Sequence, residues 1–135
     1  MRLLVLFLIV IFGCKKTEPN IEADYIWDSL YVTATAYNAV IEQTDSNPSI
    51  TAFGDSLKPG LKCVAVSRDL LRLGLRHNIP IKIEGLEGIY IVNDKMHSRW
   101  IKSIDVYMGE DIKAAKQWGR KRVCIDYGIP KENYN

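Results

Sequence analysis

Short strand-forming runs between glycine and proline turns constrain the fold of this chain most strongly. The main runs are 29–40, 61–66, 80–84, 88–93, 101–107 and 122–127. The first alternates with period two, which is typical of a strand. A helix is predicted at 110–118, where an acidic first turn complements the helix dipole and Gly119 ends the pattern. One or two further helical turns are predicted at 69–76, and a short strand at 50–53. This order predicts a mainly β fold, a small six-stranded barrel with one or two short helices.

Two aspartates interrupt the apolar runs. Asp94 follows the run 89–92, and Asp105 lies between Ile104 and Val106. Burying an acid in a strand costs free energy unless the acid has partners or a function. Because paired carboxyl groups act on glycosidic bonds, the two acids predict one shared site. The alternative interpretation is structural, with Asp94 capping a turn and Asp105 accepting hydrogen bonds from backbone N–H groups.

The first residues have the pattern of a bacterial export signal. A basic start at Arg2 precedes the apolar run 3–12, which is too short to span a bilayer as a helix. Gly13-Cys14 follows and resembles a lipobox. That resemblance implies loss of the signal peptide, residues 1–13, and lipidation of Cys14. A plain signal peptide with an incidental cysteine is the alternative.

The domain organisation follows from this start. We expect residues 14–26 to form a lipidated N-terminus and tether, 27–128 a single barrel domain, and 129–135 a C-terminal tail. The lipid would anchor the protein to a membrane of the cell envelope, facing the periplasm or the cell surface. The formal net charge of +2 is close to neutral and argues against a nucleic acid partner.

The remaining cysteines, Cys63 and Cys124, both lie in strand-like runs. An oxidising compartment permits a disulfide between them in neighbouring strands, whereas two separate buried thiols are the alternative. The two histidines, His77 and His97, lack ligand spacing to a cysteine. We therefore expect no metal site and no cofactor.

Several short motifs occur in a characteristic order. They are Thr35-Ala36-Tyr37, Val64-Ala65-Val66, Asp94, Ile104-Asp105-Val106-Tyr107, Ala114-Ala115, Trp118-Gly119 and Val123. Their order resembles the 3D domain, a three-aspartate domain of cell-wall proteins that is related to the catalytic barrel of membrane-bound lytic transglycosylase A. The resemblance covers roughly residues 31–127 and implies a double-psi β-barrel.

The resemblance also implies an activity. Asp105 would be the single acid/base of a lytic transglycosylase that cleaves peptidoglycan glycan strands to 1,6-anhydro products. Asp94 would raise the pKa of Asp105 or hold its side chain in place. Thr35 and Tyr37 match the T-A-Y motif and are expected to line the cleft, although core packing would also account for them.

The chain departs from the family pattern in two places. The first family aspartate falls at Ser67, and the nearest acid, Asp69, either replaces it or belongs to the first turn of a helix. The glycine-rich loop is replaced by residues 95–100, in which His97 and Trp100 either contact a sugar or are ordinary loop residues. The alternative function is a non-catalytic glycan-binding barrel of the expansin type, and these departures favour it more than a full match to the family pattern would. The sequence indicates no oligomeric state.

Overall fold

The structure is a computed structural model that describes residues 20–39 and 50–134. The predicted signal peptide, Cys14 and most of the tether lie outside the described residues. The strands are β1 (Tyr25–Tyr37), β2 (Cys63–Val66), β3 (Pro80–Ile83), β4 (Tyr90–Lys95), β5 (Ser103–Tyr107) and β6 (Lys121–Pro130). The α-helices are α1 (Arg68–Leu73) and α2 (Ile112–Trp118), and 3-10 helices occupy Ile21–Asp24 and Lys131–Tyr134.

The six strands form a closed ring in the order β1-β5-β2-β4-β3-β6. The pairs β1/β5 and β2/β4 are parallel, and the other four pairs are antiparallel. Each parallel pair joins strands that are not consecutive in the chain, so the connections cross as in a double-psi barrel. The predicted six-stranded barrel with short helices is confirmed. No helix in the described part of the chain is long and apolar enough to cross a membrane.

Strand alternation determines which side chains fill the barrel. Val32 and Ala34 of β1, with Ile104 and Val106 of β5, are at most 2% exposed and pack into the core. Because successive side chains of a strand point to opposite faces, the residues between them face outward. Asp105 is therefore directed away from the core, as its two apolar neighbours predicted.

The first and last strands close the ring along the whole of β6 and most of β1. Ten residue pairs join β1 to β6, from Tyr25–Pro130 to Ala34–Lys121. The barrel consequently extends beyond the predicted limits of 27 and 128. Gly128 is required at this junction, since a Cβ atom there would lie 2.7 Å from the Tyr25 ring and 2.9 Å from the Pro80 ring.

The helices and turns follow local signals. Asp111 caps α2 by accepting a hydrogen bond from the Ala114 N–H at 2.9 Å, so the helix begins at Ile112 rather than at 110. Gly74 ends α1 with a positive φ of 124°. The strand expected at 50–53 is reduced to an isolated bridge between Ile50 and Ser56.

The two described cysteines do not lie in neighbouring strands. Cys63 belongs to β2 and Cys124 to β6, and neither strand borders the other in the ring. Both are free thiols. The expectation of neighbouring strands was wrong because the order of strands around the ring differs from their order along the chain. The structure favours the alternative of two separate thiols.

Candidate functional site

Four residues form a row across four adjacent strands. Thr35 of β1 pairs with Asp105 of β5, Asp105 pairs with Ala65 of β2, and Ala65 pairs with Asp94 of β4. The two aspartates thus flank one alanine. Since neighbouring strands lie about 4.8 Å apart, the backbones of the two aspartates are separated by roughly 10 Å.

A β-bulge gives Asp94 its direction. Val64 pairs with Val92, but the next residue, Ala65, pairs with Asp94, so Asn93 is an extra residue in β4. Asn93 is only 4% exposed, whereas Asp94 is half-buried. The bulge therefore brings Asp94 to the surface that carries Asp105.

A cavity of about 210 Å³ lies above this row. It is lined by Tyr37, Ala65, Asp94, Lys95, Met96, His97, Trp100 and Asp105. The alanine methyl group leaves room between the two carboxylates, and we call this space the acid cavity. The structure thus brings together Asp94 and Asp105 with three of the predicted contact residues, Tyr37, His97 and Trp100.

Asp105 has the environment of a carboxyl that retains its proton more readily than usual. Burial raises its pKa, the hydrogen bond from Thr35 opposes that effect, and the negative charge of Asp94 raises the pKa further. The Thr35 hydroxyl donates to Asp105 Oδ1 at 2.9 Å. Thr35 was predicted to line the cleft; its side chain instead fixes the orientation of the carboxyl group that does.

Asp94 has a different set of partners. Its Oδ1 accepts hydrogen bonds from the backbone N–H groups of Ala52 and Lys95, both at 2.8 Å. The contact with Ala52 attaches the turn 50–56 to the barrel beside the acid cavity. Asp94 therefore combines a structural contact with a charge that acts on Asp105.

Tyr37 lines the acid cavity, and its hydroxyl group is unpartnered within the part of the chain that the structure describes. Its oxygen is buried and has no hydrogen-bond partner among the described residues. Burial raises the pKa of Tyr37, as do the nearby Cys63, Asp94 and Asp105, so the phenol stays protonated. The ring also packs against Tyr107 at a centroid distance of 5.4 Å. Both interpretations of Tyr37, cleft lining and packing, therefore describe part of its environment.

Asp69 does not line the acid cavity. It belongs to the first turn of α1, and its Oδ2 accepts a hydrogen bond from the Lys102 N–H at 2.9 Å. Burial acts to raise the pKa of Asp69, but hydrogen bonds from Ser67 and from backbone N–H groups outweigh it and lower the pKa. The observed contacts of Asp69 therefore fit the structural interpretation, a residue of the first helical turn that holds the loop before β5.

Trp100 also lines a second cavity of about 330 Å³, which we call the arginine cavity. It is lined by Thr33, Arg99, Trp100, Ile101, Ser103 and Arg120. Sequence reasoning missed both this cavity and the contribution of Ala65. The available signals were the basic run after α2 and the replaced loop at 95–100. In the described ranges, no group of three or more His, Cys, Asp or Glu side chains is arranged to hold a metal ion.

Comparison with known proteins gives a fold likeness only. No family model and no curated protein matches the chain. The backbone is similar to that of an expansin. The apo expansin of Clavibacter michiganensis is 18% identical with a TM-score of 0.46, covering 77% of this chain and 52% of that one. A mutant of the same expansin in complex with cellohexaose is 17% identical with a TM-score of 0.40, covering 76% and 50%. The chain spans about half the length of these structures.

Proposed function

We propose that this protein is a lytic transglycosylase of the 3D-domain type that cleaves peptidoglycan glycan strands. The observation that carries the proposal is the state of Asp105, a half-buried carboxyl with a raised pKa on the wall of an open cavity. A general acid must still hold its proton near the working pH, and a raised pKa favours that state.

The reaction needs one carboxyl group in two roles. Asp105 would donate its proton to the glycosidic oxygen as the bond between the muramic acid carbon and that oxygen breaks. The resulting carboxylate would then accept the proton of the muramic acid 6-hydroxyl, whose oxygen closes the 1,6-anhydro ring. No water is consumed, and Asp105 ends the cycle protonated. Asp94 would contribute the negative charge that raises the pKa of Asp105.

Substrate contacts are assigned to the other lining residues. Trp100 lines the acid cavity, and the part of its ring that Arg99 and Arg120 leave free would pack against a sugar ring. Tyr37 lines the same cavity and would contact a sugar through its ring, since its hydroxyl oxygen is buried. His97 lines the same cavity and would provide a further polar contact.

The test compares Asp105→Asn with Asp126→Asn. Asp126 lies on β6 outside the acid cavity and accepts a hydrogen bond from Ser29, so it provides a matched change of charge. We expect Asp105→Asn to lower the release of anhydro-muropeptides from purified sacculi by about 10²–10⁴-fold, the usual contribution of an acid/base group. Folding and sacculus binding should be retained, and Asp126→Asn should keep full activity. Equal product release by wild type and Asp105→Asn would contradict the assignment.

A non-catalytic glycan-binding barrel is the second candidate function. It is favoured by the position of Asp69, which bonds the Lys102 N–H outside the acid cavity, so that the cavity holds two of the three aspartates of the 3D-domain pattern. The same assay separates the two functions. Sedimentation of the protein with sacculi without release of anhydro-muropeptides would favour the binding barrel.

We also propose that the domain is anchored to the cell envelope through a lipid on Cys14. The short apolar run before Gly13-Cys14 supports this proposal. We expect Cys14→Ser to leave the protein unprocessed or to move it from the membrane fraction to the soluble fraction. Normal membrane partition of that variant would exclude the lipid anchor.

A further inference from the structure

We propose that the arginine cavity is a subsite for a carboxylate carried by the glycan next to the bond that is cleaved. This inference rests on the proposed function, since it concerns the same ligand. It adds a requirement for a negative charge on the substrate. Neither aspartate of the acid cavity would bind such a charge, because carboxylates repel each other.

Two arginines flank one tryptophan ring. The guanidinium carbon of Arg99 lies 5.4 Å from the centroid of Trp100, and that of Arg120 lies 5.6 Å from it. Arg99 comes from the loop before β5, and Arg120 from the turn after α2. Because a guanidinium beside an aromatic ring keeps N–H donors free at its edge, both groups can still bind a carboxylate.

The charge in this cavity is not balanced by acids. Its described lining contains two arginines and no acidic side chain. Within residues 20–39 and 50–134 the ion pairs are His77–Asp55 and Lys82–Glu22, so neither arginine has an intramolecular counter-ion there. Two like charges beside one ring repel each other, and a bound anion would offset that repulsion.

The arginine cavity continues the surface of the acid cavity. Trp100 belongs to the lining of both. Thr33, which lines the arginine cavity, lies two residues from Thr35 on β1, and both face away from the barrel core. Their Cα atoms are therefore roughly 7 Å apart along the strand. A glycan with its scissile bond at Asp105 would reach Thr33 with a neighbouring substituent.

Muramic acid supplies the required chemistry. It carries a lactyl group that ends in a carboxylate, or that is extended by a peptide with carboxylates of its own. Arginine binds either source in the same way, through paired N–H donors. The shared recognition element is therefore a carboxylate, and the choice of probes identifies its source.

The experiment measures binding to the Asp105→Asn variant, so that no probe is cleaved. The three probes are an N-acetylglucosamine hexasaccharide, an alternating N-acetylglucosamine–N-acetylmuramic acid hexasaccharide with free lactyl groups, and the latter carrying dipeptides that end in D-glutamate. One exposed ion pair contributes at most about fivefold in affinity, so two pairs, one with each arginine, contribute at most about 25-fold. We expect a carboxylated probe to bind about 20- to 30-fold more tightly than the neutral probe at low salt. Most of that preference should disappear at about 1 M salt, where the Debye length is near 3 Å.

The matched variants replace arginines only. Arg99→Gln/Arg120→Gln should remove the preference for carboxylated probes, whatever smaller and equal change in the affinity for all three probes follows from the loss of contacts with Trp100. Arg72→Gln/Arg76→Gln, at exposed positions on and after α1, is the control and should keep the preference. Equal binding of neutral and carboxylated probes, or a preference that survives loss of Arg99 and Arg120, would overturn the subsite. Failure of all three probes to bind would overturn the proposed function as well.

Discussion

The contact between Asp94 and the turn 50–56 leads to a quantitative prediction. Asp94 Oδ1 accepts two backbone N–H groups, from Ala52 and Lys95, at 2.8 Å each. Asp94→Ala removes this acceptor, whereas Asp94→Asn keeps an amide oxygen in the same position. The two variants therefore separate the hydrogen-bonding role of the side chain from its charge.

The expected loss of stability follows from the number of bonds. A hydrogen bond contributes about 1 kcal/mol net to the free energy of unfolding, and these two are partly exposed to solvent. Asp94→Ala should therefore cost about 2 kcal/mol, and Asp94→Asn about half of that or less. For a domain of this size, 1 kcal/mol corresponds to a change in Tm of roughly 4 °C. We expect Tm to fall by about 8 °C for Asp94→Ala and about 4 °C or less for Asp94→Asn.

The assay combines thermal unfolding, followed by circular dichroism, with amide hydrogen exchange. The Ala52 amide should exchange faster in Asp94→Ala. The Thr51 amide, which donates to the Asp55 carbonyl oxygen inside the same turn, is the internal reference and should change less. Unchanged stability together with unchanged exchange at Ala52 would refute the structural role of Asp94.

Two further predictions concern titration and thiol chemistry. Because burial raises the pKa of Asp105, the native state binds its proton more readily than the unfolded state, and stability falls as pH rises from the unfolded towards the folded pKa. Asp105→Asn should lack this fall and be at least as stable as wild type at pH 7. Urea unfolding at pH 4 and pH 7 measures the free energy of unfolding of both proteins. An equal fall in the variant between the two pH values would contradict the raised pKa of Asp105. Burial raises the pKa of Cys63 to about 11, so iodoacetamide should label Cys63 only after unfolding. Both Cys63 and Cys124 should be labelled without reductant; protection of both would indicate a disulfide.

Local patterns were sufficient to predict the six strands of the barrel and the direction of Asp105, although the further strand expected at 50–53 is only a bridge. Alternation over 29–40 indicated a strand, and the apolar neighbours Ile104 and Val106 determined which way the acid between them faces. The order of strands around the ring could not be predicted from these local patterns. It depends on long-range pairing, and for this reason the two cysteines were expected in neighbouring strands when they are not.

Only part of the site was predictable from its polar residues, since Asp69 was expected there and lies outside the acid cavity. Asp94 and Asp105 were expected in one cleft, and both line the acid cavity. Ala65 between them gave no signal, because a buried alanine in an apolar run has the same pattern as core. The bulge at Asn93 and the contact with Ala52 depend on register and on a backbone amide, neither of which is encoded in side-chain chemistry.

The pairing of β1 with β6 has a consequence for how the protein is made. The row from Thr35 to Asp94 uses strands that are complete by Tyr107, but the ring closes only when residues 121–130 pair with β1. Until then β1 and β3 each present an unpaired edge, and such edges associate with other chains. During synthesis, which proceeds from the N-terminus, the chain thus passes through a stage at which Asp94 and Asp105 can already lie on paired strands while the ring of strands is still open. Substitutions in β6 should therefore slow folding and promote aggregation before they alter the acid cavity.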